Sequence, residues 1–443
     1  MTRLPSRLPK EYRLGGEIAP YFADGKKRTL KVQDSATGSK KIFYPGWYAV
    51  ALAFLVQLVA SGPIYYGFGV FGQVFAQEFQ ATRTSINVIL TLVTLFSGFA
   101  GIPIGWLLRR FSVRAVLLTG ALGQIAGLII VSQASSFRQV LVGYGVVAGM
   151  ADALLSVQLT NLLIVHWFEK RRGLAMGIAV TSTSFASIVY PPLLTGLIGA
   201  LGWRATFLVA AAMLALLVPM IVWKAGLPPQ IPLIERLPSP VPQISDSDHP
   251  HLQPSVYRSA DFWIVTFVVG AMFSANLAII SAVIPYARSQ GLSPYAAASL
   301  LSLQGAVALL AKIGFGVIAD RARLNYGLAI AGACGAVSMI LWLVGGNIFV
   351  LGAAAISFGL CLGGTLPMFG VILARRFGLS DYAMLIGASR TAMAPMMLVT
   401  PLIVGFLFDQ WGSWRPTFFG LLVFLTIATG LSFIARFTPS DPH

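Results

Sequence analysis

Three ionisable side chains, Asp152, Lys312 and Arg390, stand inside long apolar runs of a 443-residue chain. An ionised group at the centre of a bilayer costs roughly 2.5–3.5 kcal/mol on insertion scales, so each needs a compensating role. Two cations face one carboxylate, and the surplus positive charge would draw a small anion into any cavity they line. Arg390 supplies a planar fork suited to bidentate grip of a carboxylate, and Lys312 a movable point charge. Each lies about 11 Å from the nearer end of its run, at 1.5 Å per residue. Snorkelling to the headgroups is the plainer alternative. It suits Lys312 better than Arg390, which is flanked by Ala388, Ser389, Thr391 and Ala392. Asp152 is either a proton carrier or the ion-pair partner of a cation. Gln57, Tyr65, Tyr66, Gln158, Asn161, Asn276 and Gln304 are further polar positions within runs. They either line a cavity or tie helices together, and Tyr65, Tyr66 and Asn276 are taken as candidates for substrate contact.

The elements that must position these groups follow from composition. Charged residues make up 10% of the chain and AVILMFWYC 56%, with a mean hydropathy of +0.78. Soluble globular domains carry about 25% charged residues, and disordered chains have the opposite bias. A polytopic membrane protein is the class that remains. Twelve apolar runs of membrane-crossing length can be read. They begin near Trp47, Ser85, Val113, Gln139, Gly173, Ala205, Ala260, Pro294, Tyr326, Asn347, Tyr382 and Pro416. They end near Phe71, Leu108, Val131, Val165, Ile198, Trp223, Tyr286, Ile318, Val344, Leu373, Phe408 and Phe437. The alternation of a β-barrel is absent, so an all-α fold of twelve transmembrane helices is expected.

Of the 31 Lys and Arg, 24 fall on one side of this topology, five on the other and two within spans. The positive-inside rule puts the rich side, with both termini, in the cytosol. The net charge of +16 is then an orientation signal, and no nucleic acid is expected as a partner. Residues 1–46 read as a basic cytosolic tail without the apolar core of a signal peptide. The Pro-rich stretch 225–259 reads as a cytosolic linker between bundles at 47–224 and 260–437, with a short tail at 438–443. Cys334 and Cys361 lie in apolar runs and read as packing residues. No P-loop, metal-ligand set or Ser/His/Asp arrangement is present in the sequence, so no cofactor, metal site or enzyme activity is expected. Gly101-x-x-x-Gly105, Gly123-x-x-x-Gly127, Gly145-x-x-x-Gly149 and Gly359-x-x-x-Gly363 read as close helix contacts.

The halves repeat one another. Gly105 to Arg110 closes span 2 as Gly316 to Arg321 closes span 8, and Gly202-Trp203-Arg204 after Pro191 parallels Ser413-Trp414-Arg415 after Pro401. Such repeats place a site between the halves near the midplane, opened alternately to each side. Trp167-Phe168-Glu169-Lys170-Arg171-Arg172-Gly173-Leu174-Ala175-Met176-Gly177-Ile178-Ala179, with Pro45-Gly46-Trp47, Gly202-Trp203-Arg204 and Gly314-x-Gly316-x-x-x-Asp320-Arg321, resembles the major facilitator superfamily. Within it, the first stretch resembles the group of monocarboxylate transporters and oxalate/formate antiporters. The resemblance implies that Lys312 matches a carboxylate-binding base and Arg390 a second basic position, with Lys and Arg exchanged between spans 8 and 11. It also implies a conformational latch of Arg110, Asp320 and Arg321. Arg109 stands where the family has Asp, Ser112 and Ser182 where it has Gly, and Ala308 where proton-coupled members have Asp.

The expectation is a plasma-membrane secondary transporter of small organic anions, mono- or dicarboxylates, acting as an antiporter or a proton symporter. It would work as a monomer in the lipid bilayer, with protons or a counter-anion as co-substrate. Its rivals are efflux of larger amphipathic compounds and a non-transporting receptor of the same fold.

Overall fold

The computed structural model describes residues 22–23, 26–27, 46–99, 101–156, 159–160, 163–164, 167–168, 172–225, 259–321, 324–377 and 382–434. Of these, the backbone alone is described at 22–23, 26–27, 101–103, 109, 172–173, 224, 317–321, 324–325 and 382–384. Met1–Tyr44 and Pro45–His443 form separate compact units. In the first, β1 (Phe22–Ala23) pairs antiparallel with β2 (Lys26–Lys27).

The second unit is built of helices, because helices alone among open structures satisfy their own backbone in hydrocarbon. Among the described residues nine are long and apolar enough to cross a membrane. One of them, Leu174–Trp223, has 50 residues, or about 75 Å at 1.5 Å per residue. A hydrocarbon core of about 30 Å cannot be crossed once by such a length. Gly202 divides it, with φ 78 and ψ 164, into spans 5 and 6. Only a residue without Cβ adopts that conformation readily, and the neighbouring Trp203 packs against Phe75, Phe79 and Phe207.

Two further crossings are described in segments, and Ala100, between those of span 2, lies outside the described residues. Span 2 comprises Arg83–Phe99 and Gly101–Arg110. Span 4 comprises Phe137–Val140, a π-helical stretch Leu141–Ala148, and Gly149–Leu154. Span 3 is Val113–Ser132, and spans 7 to 12 are Ala260–Ser289, Pro294–Arg321, Leu324–Val344, Ile348–Phe377, Tyr382–Trp411 and Arg415–Ile434.

Span 1 departs from its expected end at Phe71. It runs as Gly46–Ser61, a π turn Gly62–Tyr66, and Phe68–Glu78. The added turns are held by aromatic packing, with Phe71 and Phe75 stacked on Phe207 at 4.1 and 6.0 Å. The linker and both chain ends lie outside the described residues, as do Gln158 and Asn161.

Each half has its own apolar core. One runs from Phe262 to Ala428 on spans 7 to 12 and admits Val70 from span 1. Another runs from Ile64 to Ala211 and admits Leu277 and Ile280 from span 7. Small residues set the spacing inside each half. A Cβ on Gly127 would lie 2.7 Å from the Gly143 carbonyl and 2.8 Å from the Ala148 nitrogen, and one on Gly363 would lie 2.7 Å from the Ala308 carbonyl. The expected small-residue contacts at Gly127, Gly145, Gly149, Gly359 and Gly363 are thus real contacts. Overpacking costs about 1–3 kcal/mol, and at Gly127 the obstacle is backbone, which cannot rotate away. Gly127→Ala is expected to lower the melting temperature of the detergent-solubilised protein by several degrees. Gly177→Ala, where nothing lies within 4 Å, is expected to leave it unchanged.

Candidate functional site

Two antiparallel helix pairs join the halves. Span 2 lies along span 11: Asn87 Nδ2 donates to the Pro401 carbonyl at 2.8 Å and Thr91 Oγ1 to the Leu398 carbonyl at 3.4 Å. A Cβ on Gly405 would lie 2.6 Å from Thr84 Cα, and one on Gly98 would lie 3.6 Å from the Ala394 Cβ. Span 5 lies along span 8 in the same way. Pro192 has no N–H, so the Ile188 carbonyl loses its helix partner. Ser302 Oγ supplies the missing donor from the other half at 2.7 Å. Ser187 Oγ donates back to the Leu301 carbonyl at 3.0 Å.

Both pairings stop partway toward the face that carries the ends of the linker. Helical spacing continues the span 11 contact face from Ala394 to Gly387, the span 5 face from Ser184 to Gly177, and the span 8 face from Lys312 to Gly316. At Gly387, Gly177 and Gly316 nothing lies within 4 Å of a Cβ position. Among the described residues the halves are therefore in contact toward the far face, whereas these three positions nearer the linker face meet no neighbour.

The two cations sit where contact gives way to open space. Arg390 lies one turn past Ala394 on the open side; it is exposed and makes no hydrogen bond or ion pair among the described residues. Lys312 reaches from span 8 to span 5, where Nζ donates to Ser184 Oγ at 2.8 Å. Its one bonded partner among the described residues is thus a neutral hydroxyl of the other half. The Lys312 ammonium is turned to a neighbouring helix of the other half.

Of the two alternatives for Asp152, proton carrier or ion-pair partner, the second is not seen. Asp152 forms no ion pair with Lys312 or Arg390; its Oδ1 accepts from Ser61 Oγ at 2.9 Å, and the residue is 3% exposed. The carboxylate belongs to span 4 and its partner to span 1, so the bond stays within the N-terminal half. Two π segments bracket it. Ser61 immediately precedes the π turn of span 1, where Pro63 lacks an N–H, and Asp152 follows the π stretch of span 4. Tyr144, within the latter stretch, places its hydroxyl 3.0 Å from the Pro63 carbonyl and 2.9 Å from the Ile64 carbonyl. Departures of this kind from the α-helix gather at functional sites.

Tyr65 and Tyr66 emerge from the same π turn, both half-buried. Tyr65 Oη lies 2.9 Å from Ser97 Oγ, beside the Gly98–Ala394 contact that ends the pairing of spans 2 and 11. The Ser61–Asp152 bond is one turn nearer the linker face than Tyr65, as Arg390 is one turn nearer than Ala394. Asn276 is half-buried and accepts from Gln304 Nε2 at 3.3 Å. Gln57 is a structural tie: its Nε2 donates to Thr160 at 2.6 Å, and Ser182 Oγ donates to its Oε1 at 3.2 Å. At the linker face Arg110 lies over the Trp106 ring at 5.5 Å; the side chains of Asp320 and Arg321 lie outside the described residues.

Residues that charge alone does not reveal are Ser61, Ser97, Ser184 and Ser187. The last two stand three apart on span 5, a spacing that marks one helix face, and that is the signal by which they could be found. Among the described residues no group of His, Cys, Asp and Glu has the makings of a metal site.

The Major Facilitator Superfamily profile matches residues 52–394. Monocarboxylate transporter 11 of Homo sapiens is 26% identical over 392 residues, covering 84% of this chain and 79% of its own length. Monocarboxylate transporter 12 of Rattus norvegicus is 25% identical over 426 residues, covering 88% and 86%. A solved bacterial homologue of the human lysosomal transporter Spinster, inward-facing and occupied, has a TM-score of 0.67 at 17% identity, covering 90% of this chain and 97% of that one. The contact faces, the twelve crossings and the profile agree: the chain belongs to the major facilitator superfamily, as a multi-pass membrane transporter of small molecules that resembles the monocarboxylate transporter group.

Proposed function

We propose that this protein carries small organic anions, mono- or dicarboxylates, across the plasma membrane by alternating access. One observation carries the reading. Lys312 and Arg390 stand where the two interhalf pairings end, and among the described residues no carboxylate neutralises either of them. A carboxylate arriving from the open side supplies the missing charge. Arg390 takes it by its fork and Lys312 follows as a point charge, exchanging its bond to Ser184 for one to the anion. A dicarboxylate, or one compact carboxylate held between both, satisfies the pair. Tyr65, Tyr66 and Asn276 offer hydrogen bonds to the rest of the molecule.

The supporting observations are the twofold repeat, the resemblance to monocarboxylate transporters, and the distribution of Lys and Arg, which makes the linker face cytosolic with both termini inside. In this reading the bundles at 47–224 and 260–437 are the moving bodies, and Arg110, Asp320 and Arg321 latch them on the cytosolic side when the far side opens. The protein acts as a monomer.

Asp152 gives the transporter a means of coupling. A buried carboxylate whose bonded partner is a hydroxyl carries either a negative charge that nothing offsets or a proton. Ser61 and Tyr144 tie that choice to the π turn that bears Tyr65. Uptake of acid with a proton follows when Asp152 titrates, and exchange of one anion for another proceeds without it.

Purified protein in liposomes is expected to take up at least one of lactate, pyruvate, oxalate, succinate or an aromatic acid, faster with anion inside. No uptake of any acid by intact protein contradicts the reading. Arg390→Gln is expected to reduce that uptake by at least a hundredfold, as loss of a charged contact worth about 3 kcal/mol does. Its melting temperature should be unchanged, and undiminished flux removes Arg390 from the site. Asp152→Asn is expected to abolish stimulation by an inward proton gradient while retaining anion exchange. A preserved response to the gradient would place coupling elsewhere.

A further inference from the structure

The far mouth is closed by a contact that the anion site does not use. Asp409, near the end of span 11, turns its carboxylate onto the first turn of span 2. Oδ1 accepts from the Arg83 backbone N–H at 2.9 Å; Oδ2 accepts from the Thr84 N–H at 2.8 Å and from Thr84 Oγ1 at 2.6 Å. The first N–H groups of a helix have no intrahelical partner and lie at the positive end of its dipole, so a carboxylate is their natural cap. Such a cap ordinarily comes from the residue preceding the helix. Here Thr82 in that place caps Ser85, at 3.2 Å, and its hydroxyl also bonds Asp409, while the carboxylate that meets the first two N–H groups comes from 325 residues away, in the other half.

The Arg83 side chain closes the same seam from the opposite direction. Its guanidinium lies 5.8 Å from the Phe408 ring centre and 6.0 Å from that of Trp414, and it donates to Gln73 Oε1 on span 1 at 3.2 Å. One helix thus lends its N–H groups to a carboxylate of the second half and its guanidinium to aromatic rings of the second half. Gly405, one turn before Asp409, brings the two backbones into contact. The bonds to Asp409, the ring contacts of Arg83 and the Gly405 approach all lie across the seam that must part when the far face opens.

We propose that Asp409 is the outer latch of the transport cycle, a helix cap donated across the seam that holds the far mouth shut and is released at each turnover. Arg83 is its positioning partner. The latch stabilises only the state open to the linker face, so weakening it shifts the population toward the state open to the far face. The inference concerns the gate and stands independently of which solute is carried.

The test uses full-length protein in proteoliposomes, with Cys334 and Cys361 replaced by Ser, and needs no substrate. Thr91→Cys reports the far seam, where Thr91 is 9% exposed. Gly387→Cys, in a separate protein, reports the linker-side opening. A membrane-impermeant maleimide is presented to the relevant face. Asp409→Ala is expected to speed labelling at position 91 by about tenfold or more, since charge-assisted bonds are lost from one state only. Asp409→Asn, which keeps one acceptor oxygen, is expected to fall between it and the parent, and labelling at position 387 should not quicken in either. If Asp409→Ala does not reach the membrane, Asp409→Asn and Thr84→Val carry the same comparison. Labelling at position 91 within twofold of the parent in the inserted variants overturns the latch. Faster labelling at both positions also overturns it, since that is a loosened fold and not a shifted gate.

Discussion

Hydrocarbon offers no partner for a hydrogen bond, and this constraint orders the molecule. Each span satisfies its backbone chiefly within a helix, and at three breaks in that pattern a side chain supplies the missing partner. Pro192 strips the Ile188 carbonyl of its donor, and Ser302 of the other half replaces it. The carbonyls of Pro63 and Ile64, in the π turn of span 1, are met by Tyr144. The first N–H groups of span 2 are met by Asp409. Two of these three repairs cross between the halves, so the need to satisfy the backbone is also what holds the far side shut. A bond of this kind is directional and local. It can be broken at one end of a helix pair without disturbing the apolar cores, which lie almost wholly within each half.

The same constraint makes the exceptions informative. Lys312 has a neutral hydroxyl as its bonded partner and Arg390 has none among the described residues. They occur where the interhalf contacts among the described residues give out, Lys312 bonded across to span 5 and Arg390 one turn past Ala394. A bound anion there would screen the two cations from each other and draw spans 8 and 11 toward the N-terminal half. Asp152 stands at a similar depth on the other wall but is tied to Ser61 of its own half. Keeping the carboxylate apart from the cations leaves both charges available. Had they paired, the site would have been satisfied without a solute.

The crossings, the repeat and the three ionised positions were legible in the sequence because charge is rare in apolar runs and Gly and Pro mark the run ends. The π segments were not legible. Gly62-Pro63 hints at one, but a π turn leaves hydropathy almost unchanged, and its hydrogen bonds depend on Tyr144, far along the chain. The end of span 1 was misjudged for a related reason: Gln73, Gln77 and Glu78 look like a loop, whereas Phe71 and Phe75 anchor those turns to Phe207. Of the two alternatives for Asp152 the ion pair is not formed; its carboxylate is met by a hydroxyl of span 1, and sequence spacing does not show which group lies within reach. Asp409 at a span end reads as an ordinary solvated acid, and only the packing of span 11 on span 2 turns it into a cap.

The central claim is that Lys312 and Arg390 act together on one anion. Isothermal titration of the acid that gives the fastest flux into parent, Lys312→Gln, Arg390→Gln and the double variant tests it most directly. A shared anion predicts that the second substitution costs much less than the first, with a coupling energy of about 1 kcal/mol or more. Strictly additive losses, or affinity unaffected by either change, would contradict a common site.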